Sequence, residues 1–88
     1  MTCYEIITEN TTYYARVLPG RYAHDPLLAA AFNDRPTVTV YGGRFSVIEN
    51  ASWQKGGVIS GESSGRPVRT SVVRSVRRIS KKRFMELA

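Results

Sequence analysis

Two stretches near the start of the chain, Cys3 to Glu9 and Thr12 to Leu18, are rich in Tyr, Ile, Thr and Val, and only two residues separate them. Side chains of this kind suit a half-buried pleated surface, and so short a connection commits the segments to an antiparallel hairpin. A loop at Asn10-Thr11 sets Ile6 against Ala15, Tyr4 against Val17 and Thr8 against Tyr13 on one face. On the other face it sets Glu5 against Arg16, an opposite-charge pair worth roughly 0.2–1 kcal/mol.

Pro19-Gly20 ends the hairpin. Asp25-Pro26 then has the form of an N-cap followed by proline in the first helical turn, and Leu27, Leu28, Ala31 and Phe32 fall on one stripe. This predicts a short helix over Asp25–Phe32, stopping before Asn33-Asp34-Arg35-Pro36. A second hairpin is predicted from Thr37 to Tyr41 and from Arg44 to Asn50, turning at Gly42-Gly43. Its register places Val40 against Phe45 and Val38 against Val47. Residues 54–67 carry Gly, Ser and Lys around Val58-Ile59-Ser60, the pattern of a flexible connection with one short strand.

The segment after Pro67 supports two structures. As a helix from Ser71 to Leu87, it places Val72, Val73, Val76, Ile79, Phe84 and Leu87 on one arc, with Arg74, Arg77, Arg78, Lys81 and Lys82 opposite. As a strand, it lines up Val68, Thr70, Val72 and Val76, but Arg74 intrudes on that face. The helix is preferred. The expected fold is therefore α+β: two antiparallel hairpins in one small sheet, a short helix and a basic amphipathic C-terminal helix. The alternative is a mostly β small barrel with the C-terminal segment as a strand. At 88 residues the chain makes one domain, 1–88, whose modest core favours contact through an outer face over a deep pocket.

The net charge of +6 is unevenly placed. Residues 66–88 hold Arg66, Arg69, Arg74, Arg77, Arg78, Lys81, Lys82 and Arg83 against Glu86 alone, while residues 1–65 hold five basic groups and six acidic ones. All the excess thus lies in the last quarter. Arginine forks match phosphate and carboxylate groups, and such a run neutralises phosphates with little sequence preference. The single cysteine, Cys3, precludes a disulfide within the chain and fits a reducing, cytoplasmic setting. No apolar run reaches membrane-spanning length, and the first residues lack the basic and apolar regions of a signal peptide.

Gly61-Glu62-Ser63-Ser64-Gly65 has the spacing of a hydrolase nucleophile elbow. His24, the only histidine, precedes the serine in a chain too short for that fold, so a glycine-serine loop is expected instead. No Gly-Lys-Ser/Thr follows the glycines, and Cys3 and His24 lack zinc-ligand spacing, so neither an enzyme, a cofactor nor a metal is expected. Gly43-Arg44-Phe45-Ser46-Val47 has a partial likeness to the aromatic strand of RNA-recognition folds but lacks its spacing. Tyr14 and Tyr41, on the polar faces of their hairpins, are candidate interface aromatics.

The Tyr4-Glu5-Ile6-Ile7-Thr8-Glu9-Asn10-Thr11 hairpin and Pro67-Val68-Arg69-Thr70-Ser71-Val72 give the chain a layout that resembles small accessory proteins of phages and other mobile elements. That group includes inhibitors of host defence nucleases, and the resemblance implies no site residue. Two functions are expected in turn. The first is a non-enzymatic module that docks Arg69, Arg74, Arg77, Arg78, Lys81, Lys82 and Arg83 on nucleic acid. The alternative is an inhibitor or adaptor that grips a nucleic-acid-handling protein complex through protein contacts. A membrane partner is not expected.

Overall fold

The computed structural model describes residues 1–87, and of Arg44 the backbone alone. Strands β1 (Thr2–Thr8), β2 (Thr12–Leu18), β3 (Thr37–Gly42), β4 (Ser46–Ser52), β5 (Val58–Ser63) and β6 (Arg66–Ile79) pair antiparallel in chain order. β6 then returns to β1 and closes a barrel. Helix α1 (Pro26–Ala31) interrupts the β2–β3 connection, and helix α2 (Lys81–Leu87) follows β6. Among the described residues, closure leaves no strand of the sheet without a neighbour on each side.

The expected α+β fold is therefore overturned in favour of the small barrel. The long C-terminal helix is in fact strand to Ile79, with a helix only over the last seven described residues. Two bulges explain the misreading. Between Ser60↔Arg69 and Val58↔Val72, and again between Ile7↔Ser75 and Thr8↔Val73, β6 carries one residue more than its partner. Each extra residue resets the alternation. Val68, Val73 and Val76 consequently share the inner face at spacings of five and three, which a helix also produces. Arg74, the apparent intruder, sits at the second bulge and stays exposed. At the first bulge Thr70 Oγ1 accepts the Ile59 N–H at 3.1 Å and donates to the Ser71 carbonyl at 2.9 Å, standing in for the interrupted ladder.

The first hairpin keeps its expected faces with a different register. Ile6 lies opposite Tyr13 and Tyr4 opposite Ala15, because Glu9-Asn10 forms the turn. Thr8 fixes that turn. Its hydroxyl donates to the Thr11 carbonyl at 2.8 Å and accepts both the Thr11 N–H at 3.1 Å and the Ser71 hydroxyl at 3.0 Å. A buried polar group is thereby fully bonded. In the second hairpin Gly43–Phe45 form a 3-10 turn, so Val40 faces Ile48, and not Phe45. Gly43 is required there: its φ is 61°, and a Cβ would lie 2.8 Å from the Tyr13 hydroxyl.

The core consists of Ile6, Tyr13, Ala15, Val40, Ile48, Ala51, Ile59 and Val73, with Tyr4, Val38, Phe45, Trp53, Val68 and Val76 packed against it. Complete burial of Ile6, Ile48 and Ile59 contributes roughly 1.5–3 kcal/mol each. Of the connection expected over residues 54–67, residues 54–57 make a turn and the short strand at Val58–Ser60 is present. Strand continues to Ser63 and resumes at Arg66, however, so the glycine-serine loop expected there is β5 and the start of β6. Ser64 (φ 52°) and Gly65 (φ 78°) make the tight turn between them. The serine of the elbow spacing is thus a strand and turn residue.

α1 forms as the sequence predicts. Asp25 caps it by accepting the Leu27 and Leu28 N–H groups at 3.1 and 3.2 Å. Its apolar stripe does not reach the core, however, and no residue of α1 is buried. Asp34 pins the connection from below by accepting the N–H groups of Arg21 at 3.1 Å and Tyr22 at 2.7 Å.

Ser80 precedes α2 and caps its first turn, its hydroxyl accepting the Arg83 N–H at 3.0 Å. Phe84 is the one buried residue of that helix. Cys3 pairs with Arg16 and Ile79 on the outer side of β1, yet it is 2% exposed, because α2 packs over that strand. The native thiol should therefore resist a thiol-labelling reagent. Phe84→Ala removes the helix's only anchor and is expected to speed labelling at least tenfold, an effect read by following adduct mass over time. Fast labelling of the unaltered protein would show that the helix is not seated.

Candidate nucleic-acid interface

The basic residues of the C-terminal segment are distributed by the alternation of β6, not gathered on one helical face. Adjacent strand residues point to opposite faces, so Arg77 and Arg78 diverge. Arg77 lies opposite Glu5, and its Nε meets Glu5 Oε1 at 2.9 Å. This replaces the expected Glu5–Arg16 pair, since Glu5 stands opposite Tyr14 in the actual register. With the Arg77 side chain 65% exposed, the pair is worth no more than about 1 kcal/mol. Arg74 reaches Glu9 at 3.7 Å across the β6 bulge.

Arg69 is exposed opposite Ser60. Arg78 is exposed opposite Tyr4, hence on the sheet face that also carries Ile6 and Val76. Lys81, Lys82 and Arg83 form the first turn of α2, all exposed. Arg66, Arg69, Arg78, Lys81, Lys82 and Arg83 have no carboxylate partner among the described residues. Four of these six fall between positions 78 and 83, at the end of the barrel where β1 begins, because Ile79 is opposite Cys3.

The two candidate aromatics are not free anchors. Tyr14 and Tyr41 are cross-strand neighbours on the outer face, and both are half-buried. Phe84 meets Tyr41 edge-on at 5.8 Å, and the Arg16 guanidinium lies 5.8 Å from the same ring. Tyr41 thus lies beneath α2, with Tyr14 beside it on the sheet. Arg16 Nε is buried there without a hydrogen-bond partner, so the ring contact offsets only part of its desolvation.

Two features escaped the sequence. Trp53 follows β4 and meets Tyr4 edge-on at 5.8 Å, forming a cleft of about 380 Å³ at the open barrel end. Its rarity in the chain is the only signal that marks it, since nothing local links it to Tyr4. The other feature is the surface of α1, where Leu27 is 84% and Phe32 64% exposed. The stripe was legible, but its failure to be buried was not.

Fold and surface together define a class: a small closed six-stranded barrel with one strongly basic strand-helix unit. Set against protein-family models, curated proteins and solved structures, the chain matches none of them. No helix among the described residues is long and apolar enough to cross a membrane.

Proposed function

We propose that this protein is a non-enzymatic nucleic-acid-binding module that works through β6 and α2, in the cytoplasm. The observation that carries the proposal is the set of six exposed cations without carboxylate partners in a segment that holds all the excess charge. Arg78, Lys81, Lys82 and Arg83 are its centre, close enough in sequence to meet successive phosphates of one strand. Arg69 lies along the same β-strand as a further contact, while Arg74 and Arg77 must first release Glu9 and Glu5. Binding to labelled single- and double-stranded DNA and RNA across a salt series tests this. Affinity should fall steeply with salt, with a log–log slope near −3 for about four phosphates of a single strand. Absence of binding near physiological ionic strength would rule it out.

The surface of α1 favours a second function, that of an inhibitor or adaptor seated on a nucleic-acid-handling protein. Exposed Leu27 and Leu28 of α1, beside Phe32, which caps its C-terminus and stacks on Tyr22 at 5.1 Å, are suited to an apolar groove of a partner.

A further inference from the structure

We propose that the open end of the barrel is a nucleobase site, in which Tyr4 and Trp53 receive an unstacked base and Arg78 takes the adjoining phosphate. This deepens the nucleic-acid reading and rests on it. The cleft is lined by Tyr4, Val17, Val38, Ala51, Ser52 and Trp53, so its wall is apolar and aromatic and carries no charged side chain. Tyr4 and Trp53 stand at 69° to one another, which leaves one ring face open for stacking while the other ring closes the side. Both rings are half-buried, fixed by the core beneath and open above.

Charge at the rim selects the ligand. An aromatic cleft alone suits bases, sugars and prolines alike. Here Arg78 is the direct cross-strand partner of Tyr4, so its side chain leaves the sheet on the same face as Tyr4, with Cβ atoms about 5 Å apart. Lys81 and Lys82 follow after Ser80 at the same barrel end. A flat apolar surface beside closely grouped cations matches a nucleotide of a single strand, with its base in the cleft and its phosphates on the rim. Hydrogen-bond readout is limited to the Tyr4 hydroxyl and the Trp53 indole N–H, since Ser52 Oγ is already 3.3 Å from Ser60 Oγ. The site is therefore tolerant of base identity.

Trp53 is the only tryptophan, so its fluorescence reports the cleft directly in the unaltered protein. The probes are an oligothymidylate and an abasic phosphodiester strand of equal length. The base-bearing strand should bind about ten- to a hundredfold tighter and quench Trp53, as expected of one stacked base. Arg78→Ala should weaken both strands and leave their ratio unchanged. Equal affinities with unchanged fluorescence would overturn the base site while leaving phosphate docking intact. Failure of both strands to bind would overturn both.

Discussion

With Arg78, Lys81, Lys82 and Arg83 all changed to alanine, affinity for single-stranded DNA is expected to fall on the order of a hundredfold near physiological salt. The log–log salt slope should lose roughly 3 units, about 0.7 for each phosphate contact removed. Changing Arg74 and Arg77 together should cost far less. Each already has a carboxylate neighbour, Glu9 at 3.7 Å and Glu5 at 2.9 Å, so part of its charge is neutralised before any ligand arrives. This contrast separates the barrel from a basic helix, in which Arg74, Arg77, Arg78, Lys81 and Lys82 would share a face and contribute alike. Fluorescence anisotropy of a labelled strand against both variants reads it. Equal losses from the two sets would place the interface elsewhere on the segment.

Gly61→Ala is expected to be a strongly destabilising methyl addition. Gly61 pairs with Val68 on the inner side of β5, where β4 crosses closely. A Cβ there would lie 2.6 Å from the Glu49 carbonyl oxygen and 2.7 Å from Ile48 Cγ2, with the Ala51 Cα at 3.2 Å. Two of these neighbours are backbone and cannot turn aside, so β4 and β5 must separate. Overpacking of this kind costs about 1–3 kcal/mol, which in a domain this size lowers Tm by on the order of 10 °C. Gly57→Ala is the control: its nearest neighbour would be the Gln54 carbonyl oxygen at 3.5 Å, an ordinary contact, and Tm should hardly move. Thermal melts followed by circular dichroism make the comparison. Matching Tm values for the two variants would contradict the described packing of β4 on β5.

The sequence allowed the inner face of the first hairpin to be assigned even though the turn was displaced. Moving the loop from Asn10-Thr11 to Glu9-Asn10 changes the register by two, and a two-residue slip preserves which side chains point inward. Hence Ile6 and Ala15 are core residues in either register. The second hairpin was less forgiving. Its third turn residue changes the parity of β4, so that Ile48 replaces Val47 on the inner face, while Phe45 packs against the core from the turn itself. In β6, the two bulges converted a period of two into gaps of three and five and so imitated a helix.

The charge of the candidate site was legible because charge is counted from composition alone. Its arrangement was not, because the direction of each arginine depends on those bulges. The Tyr4–Trp53 cleft was invisible for another reason. It joins the start of β1 to the residue after β4, an encounter that exists only once the barrel has closed. α1 is the reverse case, a correctly placed helix whose stripe was assigned to a core it never touches.

One titration tests the basic strand-helix unit most directly: backbone and indole proton–nitrogen correlation spectra of the protein with added oligothymidylate. The Trp53 indole and the amides from Arg78 to Phe84 should shift together and saturate together, with residues 20–36 unchanged. Shifts confined to residues 20–36, or none at all, would contradict nucleic-acid binding at this end of the barrel and leave α1 as the working surface.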